Sequence, residues 1–463
     1  MLFRRMLVEE FRLHAELFGR GRFLVFPLFA AAIVAGGVWL LARTGVETAV
    51  IVGGIHALVL FFGMQVGTLG LVGRDAMRDV LGDVTLLVFS ARTLPVSRKR
   101  LLGVFIVKDI VYYVIFFLTP VVVGFVPVAL TGGFSLLQML LLWLSVAATF
   151  ALGSGSSLSL AGIGTRSKVA LTLIVAAVAA GVILEPALMI GLTPYAVYAE
   201  PTLANAVVPV AVLAGVLVAG PLLFEPSDAR AARRIEDDRY RQLQDRFGSY
   251  AARSLLEVAR SSGSIWKVGF SLGVLFAVTA LLLNRLATAT ALDPSGGIAF
   301  GTLLGLGAFT TYNWVTQADD PREYLRYPDE LAAMYRGKLL AFLALSLPFG
   351  LAYLAAAAVW YPIGDLALGL VVFPLVSLYV FGTTAYLTGL SANELLFDTA
   401  LFALYGVALA AVAVPLLVAA LAYGEAPLYS TAIAVGLSLV AAGLGVVLSR
   451  RCGPRWHDRL RAK

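Results

Sequence analysis

Side chains that could attack a bond, hold a metal or cradle a phosphate are few in this chain and poorly spaced for those tasks. The three histidines, His14, His56 and His457, are scattered along 463 residues, whereas a metal site legible in sequence needs ligands a few residues apart. The one cysteine, Cys452, allows neither an internal disulfide nor a thiolate cluster. A phosphate-cradling loop requires G-x-x-x-x-G-K-[ST], since backbone N–H groups and a lysine must surround the phosphates. The only Gly-Lys pair, Gly337 and Lys338, is followed by Leu339 and has Ala332 in place of the first glycine. The acidic pairs Asp237 with Asp238 and Asp319 with Asp320 stand in charged segments, where solvation is their ordinary role. A membrane-embedded hydrolase or transferase would need carboxylates, or a nucleophile and its base, near the end of a span. The expectation is therefore a chain that is not an enzyme, with no catalytic residue, metal or cofactor of its own.

The charge that remains is confined to a few stretches of an otherwise apolar polypeptide. Apolar residues make up 60% of the chain and charged ones 14%, a balance that a water-soluble fold of this size could not cover. Apolar runs long enough to cross roughly 30 Å of hydrocarbon as helix begin near Phe23, Thr48, Val104, Phe134, Val169, Leu203, Val268, Ile298, Leu339, Leu366, Thr399 and Thr431. The first run is too long for a cleavable signal, and Met1 to Arg22 reads as an amphipathic helix instead. The glycines of the Phe134 to Ile163 run could tilt or break that span. These features predict an all-α polytopic membrane protein of about 12 spans.

Orientation follows from the cations, which resist translocation. Of the 35 lysines and arginines, 33 fall in the amino-terminal arm, the segments 74–108, 166–168, 230–267 and 322–338, and the tail from Arg450; only Arg43 and Arg285 lie elsewhere. With these segments inside, the chain is a multi-pass protein of the cytoplasmic membrane with both termini cytoplasmic. The formal charge of +7 is mostly this sorting and needs no nucleic acid to explain it.

The two halves also resemble each other. "LVEEFR" at Leu7 resembles "LLEVAR" at Leu255, and "GGIH" at Gly53 resembles "GGIA" at Gly296. Pro95 then pairs with Pro328, Lys108 with Lys338, Pro120 with Pro348 and Pro186 with Pro415, in the same order along the chain. Such an ordered series predicts two pseudo-symmetric six-helix bundles. Residues 1–224 form the first half with its amphipathic arm, 225–267 a charged linker with a second amphipathic helix, 268–449 the second half, and 450–463 a basic tail. In the linker, opposite charges four apart, as in Arg234 with Asp238 and Asp237 with Arg241, support a solvated helix. Leu255, Leu256 and Val258 before the second half, like Leu7, Phe11, Leu17 and Phe18 before the first, suit helices lying at the headgroup level.

The loop between the second and third spans is long, about thirty residues, where helical hairpins need far fewer. Met77, Val80, Leu81, Val84 and Leu87 recur at helical spacing with Arg74, Asp75, Arg78, Asp79 and Asp83 between them, which predicts an amphipathic helix. Pro95 ends it, and Arg98, Lys99 and Arg100 open the third span. This charged helix, followed by "LPVSRKRLLGVFIVK" and a long apolar run, resembles the membrane subunit of a type-2 ATP-binding-cassette exporter, in which a Leu-Pro-x-Ser/Thr-Arg sequence recurs at this loop. The resemblance implies that the loop carries the coupling helix against a motor ATPase. It implies separate ATPase subunits, two for the two halves, with ATP and Mg held there and not here. The second loop departs from the pattern: it keeps Pro328, Arg336 and Lys338 but has Asp329 and Glu330 where the first has Val96 and Ser97. Asp319, Asp320, Arg322 and Pro328 would make the second contact, unequal to the first.

The alternative is an ion-coupled secondary transporter of the major facilitator type, which also has six plus six helices. That family carries a tight G-x-x-x-D-R-x-G-R-[RK] loop between its second and third spans, absent here. Ion-coupled carriers also hold an ionisable group at membrane depth, whereas Lys108 and Asp109 fall near the inner face and Glu185 near the outer one. Gln65, Gln138, Asn284 and Asn313 are the candidates for a translocation pathway. Mostly apolar walls would suit a lipid or hydrophobic solute. Small residues at Gly153, Ser157 and Ala161 point first to close helix packing.

Overall fold

The computed structural model of the chain describes residues 3, 6–8, 11–12, 25–43, 47–72, 97–130, 134–223, 237–261, 264–289, 293–317, 319, 324, 331–392, 395 and 399–461. Among them every regular element is a helix. The chain divides into two compact units, Met1–Ala231 and Ala232–Lys463.

In the first unit the long helices are α1 (Val25–Arg43), α2 (Thr48–Val72), α3 (Arg98–Tyr113), α4 (Leu136–Arg166), α5 (Lys168–Leu184) and α6 (Leu203–Leu223). Serines start three of them by accepting a backbone N–H that helix geometry leaves free. Ser97 caps α3 and Ser167 caps α5, while Ser135 and Gln138 form a reciprocal capping box on α4. Beyond α3 the same span continues through one π turn, Val114–Leu118, before Pro120. A proline has no N–H to donate and crowds the carbonyl four residues back, so the backbone widens there. The Thr119 N–H reaches Val114 O, its hydroxyl donates to the same carbonyl at 2.9 Å, and Trp143 Nε1 donates to that hydroxyl at 3.1 Å.

The glycine-rich run of α4 does not break: it is one helix of 31 residues, roughly 46 Å long at the usual rise. Its glycines serve contact instead. A Cβ at Gly153 would overlap the Leu60 carbonyl, and one at Gly63 the Phe150 carbonyl, so α2 and α4 meet backbone to backbone.

The second unit comprises α7 (Asp237–Phe247), α8 (Ser249–Arg260), α9 (Trp266–Ala289), α10 (Gly296–Gly307), α11 (Phe309–Thr316), α12 (Leu331–Ala357), α13 (Ile363–Thr388), α14 (Thr399–Leu421) and α15 (Pro427–Arg461). The central element is α13, the most deeply buried of the candidate spans. It packs on α10 and α15, and the Gly382 and Gly445 backbones touch. At one end of α10, Ser295 caps the helix and the Asp365 carboxylate accepts from the Ser295 hydroxyl and from Gly297 N. At the other end of α13, Gly389 takes a positive φ of 62° with the Trp456 ring packed where a Cβ would lie. Only glycine meets both conditions without strain.

Among the described residues nine helices are long and apolar enough to cross a membrane, which makes the chain a polytopic helical membrane protein. They correspond to nine of the twelve apolar runs. The other three are helical but fall short by length or continuity: Pro27–Arg43 and Lys168–Val182 are shorter apolar helices, and the run from Ile298 is divided at Ala308 between α10 and α11.

Candidate functional site

In the second unit a buried ion pair is built around Lys338. Its side chain stands two turns into α12, with 1% of its surface exposed. An ammonium so placed must meet acceptors, because desolvation without them costs several kcal/mol. Its Nζ donates to Ser254 Oγ at 2.7 Å and to the Val315 carbonyl at 2.9 Å, and pairs with the Asp319 carboxylate, whose Oδ2 lies 2.5 Å away. The Asp319 side chain is fully buried. Its other oxygen accepts from the Tyr324 hydroxyl.

Each oxygen comes from a different part of the chain. Ser254 belongs to the amphipathic helix α8, Val315 to α11, and Asp319 and Tyr324 to the segment joining α11 to α12. Helix α8 can approach because α12 presents a glycine: a Cβ at Gly337 would overlap the Cβ of Tyr250. The buried face of α8 is Ala251, Ala252, Ser254 and Val258, with Leu255 and Leu256 half-buried. Its apolar side therefore docks on protein, beyond the headgroup placement its amphipathicity alone suggests. The outer rim is charged. Arg253 Nε donates to Glu257 Oε1 at 2.7 Å, and the guanidinium lies 5.9 Å from the centre of the Tyr324 ring, which in turn faces the Tyr250 ring at 6.2 Å. The bond that Arg253 donates to Glu257 raises its pKa further above the usual range, and burial followed by the Asp319 charge pushes the Tyr324 hydroxyl up. Tyr324 thus stays a donor and Arg253 a cation across all ordinary pH. The Lys338 centre is an electrostatic joint of α8, α11, α12 and the segment between the last two.

In the first unit Lys108 is equally buried, with Nζ 2.8 Å from Asp109 Oδ1 and 4.5 Å from the Phe105 ring centre. The arm of that unit meets the third span through apolar contact. Phe11 faces Phe116 at 5.9 Å, and Leu7, Val8 and Phe11 border a hollow of about 380 Å³ with Tyr112, Ile115 and Phe116.

Of the coupling residues expected from sequence, Asp319 lies in this joint. Arg98 begins α3, and Lys99 and Arg100 stand exposed in its first turn. Arg74, Asp75, Arg78, Asp79, Asp83, Pro95, Asp320, Arg322 and Pro328 lie outside the described residues. Among the expected pathway amides, Gln138 is exposed and its Oε1 accepts from Ser135 N at 2.7 Å, which makes it a helix cap. Gln65 is half-buried on α2, Asn284 exposed on α9 and Asn313 half-buried on α11.

Sequence reasoning passes over two features. Ser254 is one hydroxyl on the apolar face of an amphipathic helix; its position three and four residues from Ala251 and Val258 is the available signal. His56 lies buried in the middle of α2, with Nδ1 2.8 Å from Val52 O and Nε2 2.9 Å from Ser145 Oγ, beside the Tyr195 and Tyr198 rings. Among the described residues no group of three His, Cys, Asp or Glu side chains could hold a metal ion. No family model matches the chain, nor does any curated protein or solved structure.

Proposed function

We propose that this chain is the membrane-spanning permease subunit of an ATP-driven exporter, resembling the type-2 ATP-binding-cassette class, with twelve spans in two six-helix bundles. The observation that supports the reading best is the Lys338 centre. Asp319, expected from sequence to lie on a loop that meets the motor, is bonded through Lys338 to the arm helix at Ser254 and to α12 itself. A push on the loop therefore moves the arm and the third span of that half as one body, because either partner left alone would be a buried, uncompensated charge. Coupled displacement of packed helices is the ordinary means by which such a movement reaches a pathway.

ATP and Mg belong, on this reading, to two separate ATPase subunits, and the energy arrives here as displacement. The transported solute is a lipid or another apolar molecule, in keeping with walls that are mostly apolar. The test is purification of the chain from its own host in mild detergent. A stoichiometric companion with a phosphate-binding loop supports the proposal, and its consistent absence from an intact, folded preparation contradicts it.

A second reading, the ion-coupled carrier, has one observation in its favour. His56 is an ionisable side chain buried in the middle of a candidate span, the kind of position that proton-coupled carriers use. Its two ring nitrogens already face protein oxygens, which favours a packing role. Uptake driven by a proton gradient in vesicles holding only this chain, abolished by His56→Gln, would reverse that preference.

A further inference from the structure

The last helix, α15, runs 35 residues, roughly 52 Å, and changes character along its length. Its first 23 residues, 427–449, contain no charged side chain, and they alone are long enough to cross hydrocarbon. The remaining turns carry Arg450, Arg451, Arg455, Arg459 and Arg461 against a single carboxylate, Asp458. All five guanidinium-bearing residues are exposed, while Cys452 and Gly453 on the opposite side are buried against the unit. A Cβ at Gly453 would overlap Ala332 at the start of α12, so this end of α15 is seated on protein by one face and open on the other.

We infer that the open face, Arg451, Arg455 and Arg459, binds the headgroups of anionic phospholipids. Spacing of four residues sets these three on one stripe of the helix. Two of them are held in place by rings: the Arg455 guanidinium lies 4.0 Å from the centre of Tyr386 and that of Arg459 lies 4.9 Å from the centre of Trp456. Trp456 is itself fixed, its Nε1 donating to Ala385 O at 3.1 Å. A guanidinium stacked by its face keeps its N–H edge free, and that edge matches two phosphate oxygens at once. Among the described residues none of the five arginines has an ion-pair partner. This is the reverse of Lys338, whose charge is met inside the protein. The stripe follows directly on an uncharged, membrane-length stretch and sits beside a tryptophan and a tyrosine, residues that favour the headgroup level. Its place selects a lipid phosphate over a soluble partner.

The test uses the full chain in nanodiscs of phosphatidylcholine alone or mixed with phosphatidylglycerol, with retained lipids counted by native mass spectrometry. Each basic residue near a charged surface favours anionic lipid about fivefold, so three favour it roughly a hundredfold. The wild-type chain is expected to retain phosphatidylglycerol selectively, and R451Q/R455Q/R459Q to lose that selectivity by tenfold or more. R455K/R459K, which keeps charge but not the stacked fork, should fall between. Retention by the wild-type chain should also decline as salt rises, a readout that needs no variant to fold. Undiminished selectivity in the triple variant, or retention indifferent to salt, overturns the inference. So does equal stabilisation by inorganic phosphate in phosphatidylcholine discs, which would mark a free-anion site. None of these readouts involves an ATPase, so their failure is distinct from failure of the proposed transport role.

Discussion

Lys338 Nζ and Asp319 Oδ2 meet at 2.5 Å with essentially no side-chain surface exposed on either residue. The pair joins the loop after α11 to the third turn of α12, and Ser254 adds the arm helix to the same ammonium. Such a pair need not stabilise the fold more than apolar residues would. Its effect is to make one arrangement of three elements much better than any other, since each partner alone would be a buried, uncompensated charge.

Breaking the pair from one side should therefore cost more than removing it altogether. Lys338→Met is expected to lower stability by about 3–5 kcal/mol, and the double variant Asp319→Asn with Lys338→Met to recover a large part of that loss. Thermal unfolding in detergent, assembled into a double-mutant cycle, measures the coupling. Additive losses would show that the two side chains do not depend on each other.

The arm contact is steric as well as electrostatic. Gly337→Leu inserts a side chain where Tyr250 already lies and should detach α8 from α12, with a stability loss of about 1–3 kcal/mol. Crosslinking between cysteines placed at Tyr250 and Gly337's neighbour Arg336 would fall accordingly. Unchanged crosslinking would contradict the docked position of the arm.

Gln138 separates a cap from a conduit. Its amide completes the Ser135 capping box, so Gln138→Ala should reduce stability by about 0.5–2 kcal/mol and leave solute selectivity untouched. A change in selectivity at unchanged stability would instead place Gln138 in the pathway.

The close approach of α2 and α4 gives a fourth prediction. Gly153→Leu must push the Leu60 backbone away and should abolish a monodisperse preparation, whereas Gly36→Leu, with nothing near its Cβ position, should be tolerated. Size-exclusion profiles distinguish the two outcomes.

How much of this was legible in the sequence depends on the kind of signal. Apolar length is additive along the chain, so nine of the twelve runs stand as candidate spans. Where the run from Ile298 divides at Ala308 depends on local packing that no hydropathy window contains. At Gly153 and Ser157 the small residues do lie at a close contact with α2, as their spacing suggested. Lys338 was visible as the positional partner of Lys108 and as half of the Gly-Lys pair, but not as a buried charge. Its burial requires acceptors from three segments 19 to 84 residues away, a convergence that spacing along one helix cannot encode. The capping role of Gln138 is likewise local: a polar residue at the start of an apolar run can serve the backbone N–H groups there.

The central claim is that an outside motor moves this chain, and reconstitution tests it most directly. Vesicles containing the chain with its co-purified companion should accumulate a lipid-like solute when ATP is supplied, and Asp319→Asn should slow that transport severalfold while leaving the companion's basal hydrolysis intact. Vesicles containing the chain alone should accumulate nothing. Uphill accumulation by the isolated chain on a proton or sodium gradient, with no nucleotide present, would contradict the account.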